Sequence, residues 1–133
     1  MTDLMVRILL AKLGDGYDQA QLQLGKALLD AGFEVIYTNT QHPDSIVASA
    51  LQESVDHIGI TMLPGSNIND IKTVMDLLAE ANAQEIQVAA GGFLADEDIP
   101  AIKKMGVAEF FPRGTTFDQL VNWAKEHIKP VES

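Results

Sequence analysis

Short apolar runs alternate with amphipathic segments five times along the chain, and this alternation constrains the fold more than any other feature. The runs are nearly continuous, which is typical of strands covered on both faces. They lie at 6–13, 34–38, 57–63, 85–92 and 107–112, and the helical segments lie near 18–31, 43–53, 67–81, 96–105 and 116–128. Parallel strands joined by right-handed crossovers place helices on both faces of one sheet. The sequence therefore predicts an α/β, flavodoxin-like (Rossmann-like) fold with a five-stranded parallel sheet of order 2-1-3-4-5.

Length and charge limit the classes of function. A chain of 133 residues fits one domain, and we expect a single domain over residues 1–133 with its core at about 6–128. Nineteen acidic and nine basic side chains give a formal net charge of −10, which disfavours nucleic acid and anionic lipid as partners. The apolar runs are too short to span a bilayer and no secretory signal is evident, so we expect no membrane association and a cytoplasmic location. There is no cysteine, which excludes disulfides and thiolate chemistry.

The ligand site of such a sheet lies outside the carboxyl ends of its strands, near the point where strand order reverses. Four loops meet there, at 12–20, 61–67, 90–98 and 111–116. All four are rich in glycine or hydroxyl residues, which let a bulky ligand approach the backbone. Any single glycine among them could equally serve only to form a turn.

Three common functions of this architecture, which are flavin binding, phosphate acceptance and dinucleotide binding, fit these loops poorly. A flavin phosphate would be repelled by Asp15 and Asp18 in the first loop. A phosphate-accepting receiver domain needs an aspartate at the end of the third strand, where Thr61 stands. A dinucleotide-binding loop has three glycines in the pattern G-x-G-x-x-G, but GDGYDQA has only two, followed by Ala20.

Several segments together carry a more specific resemblance. They are ILLAKLGDGYD, ALLDAGFEVIYT, VDHIGITML, the Gly91-Gly92 pair followed by DEDIPAIKKMGVAEFF, and the GTT after Arg113. From about Val6 to Ile128 the chain resembles the cobalamin-binding domain of the adenosylcobalamin-dependent acyl-CoA mutases, the methylmalonyl-CoA mutase type in particular. The resemblance implies cobalamin, as adenosylcobalamin, as the cofactor.

The resemblance also implies which residues bind the cofactor. The family carries D-x-H-x-x-G in the first loop, S-x-L or T-x-L after the third strand and G-G after the fourth, and the nucleotide tail of the cofactor enters a slot lined by the last two motifs. Thr61 with Leu63 match the second motif, and Gly91 with Gly92 match the third. The expected cofactor-binding residues are Asp15, Gly16, Tyr17, Asp18, Thr61, Leu63, Gly65, Gly91, Gly92, Gly114 and Thr115.

The first motif departs from the family pattern. Tyr17 stands where the family has the histidine that ligates cobalt, Ala20 replaces the last glycine, and the loop before Asp15 is one residue short. Forming a phenolate at pH 7 costs about 4 kcal/mol before any help from the metal. Four interpretations of Tyr17 remain open. It could ligate cobalt itself, or the benzimidazole of cobalamin could stay on the metal in its place. It could instead fill space in a domain that has weakened or lost cobalamin binding, or belong to a site for another ligand. We expect cobalamin to bind without a protein histidine ligand.

The resemblance implies a subunit that carries a cofactor for a partner. No catalytic dyad or triad is evident, so we expect no catalytic residue in this chain and a separate large acyl-CoA mutase-type subunit that holds the substrate. The alternative is a degenerate or base-on cobalamin module that acts as carrier, sensor or structural partner.

The remaining candidates have ordinary structural interpretations. His42, His57 and His127 lie on none of the four loops, and we expect surface or strand-edge histidines rather than metal ligands. Phe117 and Trp123 are expected in the core, with contact to a partner chain as the alternative. Replacing Gly92 with phenylalanine is expected to block the cofactor slot and leave the fold stable.

Overall fold

Five parallel strands form one sheet in the order β2-β1-β3-β4-β5. The computed structural model describes residues 5–14, 16, 18–38 and 42–131, with only the backbone of Asp18 described. The strands are β1 (Arg7–Leu13), β2 (Glu34–Tyr37), β3 (His57–Met62), β4 (Gln87–Gly92) and β5 (Glu109–Pro112). The predicted fold class and strand order are confirmed.

Helices connect the strands and cover both faces of the sheet. They are α1 (Asp18–Asp30), α2 (Pro43–Gln52), α3 (Ile68–Glu80), α4 (Ile99–Lys104) and α5 (Phe117–His127). The segment predicted as one helix at 96–105 begins instead with a turn of 3-10 helix at Asp96–Asp98, before α4.

Local signals set where these helices begin and end. Gly32 has φ +102°, which suits the residue after a helix, and the amide of Phe33 returns to the carbonyl of Leu28 at 3.0 Å. At the start of α5 the Thr116 hydroxyl accepts from the amide of Gln119, whose side chain accepts from the amide of Thr116. This capping box fixes the start of α5 directly after the β5 loop.

Two apolar clusters lie on opposite faces of the sheet. The larger contains buried residues of α2, α3 and α4 against one face of the sheet. The smaller contains Ile8 and Leu10 of β1, Leu28 of α1 and Ala124 of α5, with Trp123 packed beside them. Helices α1 and α5 therefore cover the second face, where the candidate site lies.

Candidate functional site

The carboxyl ends of the central strands bring the predicted motifs side by side. Thr61 pairs with Lys12 of β1 on one side and with Gly91 of β4 on the other, and Gly91 pairs with Phe111 of β5. Residues in register on neighbouring strands point to the same face. Thr61 and Gly91 thus form adjacent parts of one surface, although they are 30 positions apart in the sequence.

A cavity of about 230 Å³, called the slot below, runs from this edge between the sheet and helices α1 and α5. Thr61, Gly91, Gly92, Gly114 and Thr115, five of the predicted cofactor-binding residues, line it, and their contact with a cofactor stays a prediction. Its other lining residues include His57, Gly59, Ala89, Gln21, Leu24, Leu120, Trp123 and Ala124.

Three other predicted cofactor residues, Leu63, Gly16 and Gly65, do not line the slot. Leu63 is 1% exposed and packs against Gly14 instead of lining the slot. Gly16 and Gly65 are exposed loop residues outside its lining. Asp15, Tyr17 and the side chain of Asp18 fall outside the described residues, so their predicted contacts stay predictions.

The slot exists because the strand residues facing it are small. Side chains alternate along a strand, so His57, Gly59 and Thr61 share one face of β3, and Ala89 and Gly91 share that face of β4. A Cβ added at Gly59 would lie 3.2 Å from Cδ2 of Leu10 and would project into the slot. The middle of this face therefore offers room for a flat ligand between sheet and helices.

Polar groups lie at the mouth of the slot. The hydroxyl of Thr115 donates to the carbonyl of Pro112 at 2.6 Å, which fixes the turn between β5 and α5. The guanidinium of Arg113 lies 4.4 Å from the centroid of the Phe93 ring, and Arg113 also lines the slot. The mouth thus carries a positive charge in a chain of formal net charge −10.

Lys12 secures the first loop. Its side chain is only 8% exposed, and its ammonium donates to the carbonyl of Gly16 at 3.3 Å. The residue in register beside it is Thr61. Lys12 therefore links the first loop to the sheet at the mouth of the slot.

His57 lies at the inner end of the slot, so the expectation of a surface or strand-edge histidine is wrong for this residue. It is 2% exposed, because β3 is central in the sheet and α5 covers this face. Burial lowers the pKa of its imidazole to about 4, so the ring is neutral at pH 7. Among the described residues its Nδ1 has no hydrogen-bond partner.

Gln21 of α1 presents a second buried polar atom to the slot. Its Nε2 also lacks a hydrogen-bond partner among the described residues. A buried donor or acceptor without a partner costs about 1–3 kcal/mol. A ligand that pairs with both atoms would recover part of that free energy.

Aromatic rings surround the inner part of the slot. The ring centroid of Trp123 lies 5.8 Å from that of His57, 5.3 Å from that of Phe111 and 4.9 Å from that of His127. Trp123 is half-buried in the wall of the slot, not enclosed in the core. Phe117 is 37% exposed at its mouth. The expected core burial of Phe117 is therefore wrong, because the first residue of α5 lies at the open edge of the sheet.

Gly92 is needed by the fold itself. Its φ is +113°, and a Cβ there would overlap the carbonyl oxygen of Met62. The expectation that phenylalanine at this position would leave the fold stable is therefore wrong. A clean test of the slot needs another position.

The described residues contain no group of three or more His, Asp or Glu side chains placed to hold a metal ion. Nor do they contain a helix with the length and apolar character needed to cross a membrane.

Comparison with known proteins supplies independent findings. Residues 6–121 match the family model described as the B12 binding domain. The chain is 40% identical over 112 residues to the 2-hydroxyisobutanoyl-CoA mutase small subunit of Aquincola tertiaricarbonis, covering 83% of this chain and 82% of that subunit. It is 32% identical over 118 residues to the pivalyl-CoA mutase small subunit of Xanthobacter autotrophicus, covering 87% and 79%. A solved cobalamin-binding protein from Desulfitobacterium hafniense shares the fold, with a TM-score of 0.76 at 20% identity over 94% of this chain and 60% of that one.

Proposed function

Because the chain belongs to the B12-binding domain family, we propose that it is the cobalamin-carrying small subunit of an adenosylcobalamin-dependent acyl-CoA mutase. The two mutase small subunits to which it is similar align over 82% and 79% of their own lengths. The observation that carries the proposal is the slot between the sheet and helices α1 and α5, which opens beside Thr61 and Gly91.

The slot fits the nucleotide tail of the cofactor and not its macrocycle. A cavity of about 230 Å³ suits one flat bicyclic base, whereas a corrin ring is too large for it. Gly59, Ala89 and Gly91 leave the sheet face bare, and the Phe111 and Trp123 rings supply apolar contact. We infer that a bound cofactor would place its base in the slot and its corrin outside the slot, near the carboxyl ends of the strands.

Residues at the mouth are suited to the linker between base and corrin. The tail includes a phosphodiester, and Arg113 places a guanidinium beside the opening. Thr61 and Thr115 add hydroxyl groups on two sides of the same opening. We propose these three residues as contacts of the ribose and phosphate.

The proposal assigns separate roles to the cofactor, this chain and the large subunit. When bound, the cofactor supplies the radical chemistry through homolysis of its cobalt–carbon bond. The role proposed for this chain is to bind the tail, to fix the height of the corrin above the sheet and to cover the base. Substrate binding and the residues that act on it are assigned to the large subunit.

A carrier or sensor without a mutase partner is the second candidate, and one observation favours it. Tyr17 occupies the position of the family's cobalt ligand, and a mutase subunit that has lost the ligand could still retain corrinoid. The two candidates differ in whether a large subunit restores turnover.

The test uses the purified chain in two steps. Titration with adenosylcobalamin, followed through the fluorescence of Trp123 and through the cobalamin absorbance, should show saturable binding. The cobalamin-loaded chain alone should not isomerise acyl-CoA thioesters, and a purified large mutase subunit from the same organism should restore turnover. Binding without restored turnover would favour the carrier; absence of binding at micromolar concentration would contradict both candidates.

A further inference from the structure

Two of the residues that line the slot each carry a buried polar atom for which no described group supplies a hydrogen-bond partner. Nδ1 of His57 lies at the start of β3, at the inner end of the slot, whereas Nε2 of Gln21 lies in the first turn of α1, nearer the mouth. His57 is 2% exposed, so its ring can find a new partner only from within the slot. An occupant with a polar group at this depth could therefore form a hydrogen bond with His57.

The depth of His57 determines which part of an occupant it meets. Thr61 lies at the mouth, and His57 lies four residues earlier on the same face of β3, which is about 13 Å away along the strand. Gly59, between them, contributes no side chain. A base that enters past Thr61 therefore presents to His57 the edge farthest from the corrin.

The chemistry of His57 disfavours a purely apolar edge. Its pKa of about 4, lowered by burial, keeps the imidazole neutral at pH 7. A neutral imidazole has one N–H donor and one nitrogen acceptor, so it pairs with a hydroxyl or an amino group on a base. Methyl groups in the same place would leave its unpartnered nitrogen buried without a hydrogen bond.

We propose that His57 selects the base of the corrinoid tail, favouring a base with a hydrogen-bonding group on its distal edge over the dimethylbenzimidazole of cobalamin. This inference rests on the proposed function, since it assumes that a corrinoid tail occupies the slot. His57 acts here as a specificity-determining contact, separate from any ligand of cobalt.

The test compares two corrinoids that differ only in the base, one with dimethylbenzimidazole and one with 5-hydroxybenzimidazole. Dissociation constants are measured by quenching of Trp123, which is the only tryptophan of the chain and lines the slot. We expect the wild-type protein to bind the hydroxylated corrinoid about threefold to tenfold more tightly, the value of one neutral hydrogen bond. In H57L that preference should disappear or reverse.

Two further variants separate selection from general damage. H57Q keeps a donor and an acceptor at the inner end and should retain part of the preference, which keeps the test valid if H57L does not fold. H127Q removes the exposed histidine that stacks on Trp123 outside the slot and should leave the ratio of affinities unchanged. Circular dichroism verifies that each variant is folded.

The outcomes distinguish the inference from the proposed function. Equal affinity of the wild-type protein for the two corrinoids, or an equal preference in H57L, would overturn the inference while leaving cobalamin binding established. An absorbance spectrum in which the base stays on cobalt would also overturn it, because the slot would then be empty. Failure of both corrinoids to bind would overturn the proposed function and the inference together.

Discussion

The ring of His57 lies 5.8 Å from the ring of Trp123, centroid to centroid, at an interplanar angle of 57°. The pair joins a buried residue of the central strand to the wall of the slot formed by α5. Because Trp123 is the only tryptophan, its fluorescence reports on the neighbourhood of His57.

Acid should destabilise the protein through His57. Its pKa is about 4 in the folded protein and about 6.5 in the unfolded chain, so the unfolded state binds the proton more readily. The stabilising contribution is complete above pH 6.5 and falls as the pH decreases towards 4. By this linkage the free energy of unfolding should drop by about 2 kcal/mol between pH 8 and pH 5 through this residue alone.

Urea unfolding at the two pH values measures this loss. Carboxyl groups contribute equally to the wild-type protein and to H57L, so the difference between the two proteins isolates His57. H42Q, which changes an exposed histidine at the start of α2, should behave as the wild-type protein does. An H57L variant with the full wild-type pH dependence would contradict the assigned burial.

Gly59→Val should block the slot without unfolding the chain. Valine is favoured in a strand, Gly59 has no left-handed φ, and the nearest atom to its Cβ is the flexible end of Leu10 at 3.2 Å. We expect affinity for cobalamin to fall about tenfold or more, with stability changed by no more than about 1 kcal/mol. Isothermal titration and urea unfolding measure the two quantities.

Ala108→Val is the matched control for this variant. Ala108 is exposed just before β5 and does not line the slot, so the same kind of enlargement there should leave affinity unchanged. Wild-type affinity in Gly59→Val would show that the tail binds elsewhere.

Gly92→Ala should destabilise the fold more than Gly65→Ala does. Both glycines have positive φ, +113° and +89°, so both variants bear backbone strain of about 1 kcal/mol. Only at Gly92 would the new Cβ also overlap a backbone atom, the carbonyl oxygen of Met62, whereas nothing lies within 4 Å of a Cβ at Gly65. We expect an additional loss of at least about 1 kcal/mol in Gly92→Ala, measured by thermal unfolding. Equal losses of stability in the two variants would show that the backbone at the end of β4 shifts enough to avoid the overlap.

The sequence was sufficient to predict the fold because each apolar run is long enough to form a strand and each intervening segment has helical spacing. It also placed Thr61 and Gly91 at the same edge, since parallel strands end on one side of a sheet. The start of α4 was less predictable, because the acids at Asp96–Asp98 suit a first turn of either helix type.

The residues at the inner end of the slot could not be predicted from the sequence. A histidine at the start of a strand gives no sign of burial until the covering helix is known, and α5 lies 60 residues further along the chain. The alternation of His57, Gly59 and Thr61 could have indicated one channel-facing strip on β3. Gln21 and Trp123 line the slot only because α1 and α5 pack over the same face of the sheet.

Tyr17 provides the final prediction, which concerns cobalt. Ionising a phenol at pH 7 costs about 4 kcal/mol, and a tyrosine does not reproduce the reach of the histidine that the family uses. We therefore expect no protein ligand on the lower face of cobalt, with the base displaced into the slot. Paramagnetic resonance of the cobalt(II) form should then show cobalt lines without nitrogen splitting.

The same spectrum identifies each alternative. A nitrogen ligand splits every cobalt line into a triplet, and an oxygen ligand does not. Triplets that change when the benzimidazole nitrogen is isotopically substituted would show that the base has stayed on the metal, and unchanged triplets would reveal a protein nitrogen. Tyr17→His should bind cobalamin more tightly or convert the spectrum to triplets insensitive to that substitution, because it restores an imidazole that ligates in its neutral form. If affinity and spectrum both stay as in the wild-type protein, the ligand position of this family does not coincide with residue 17.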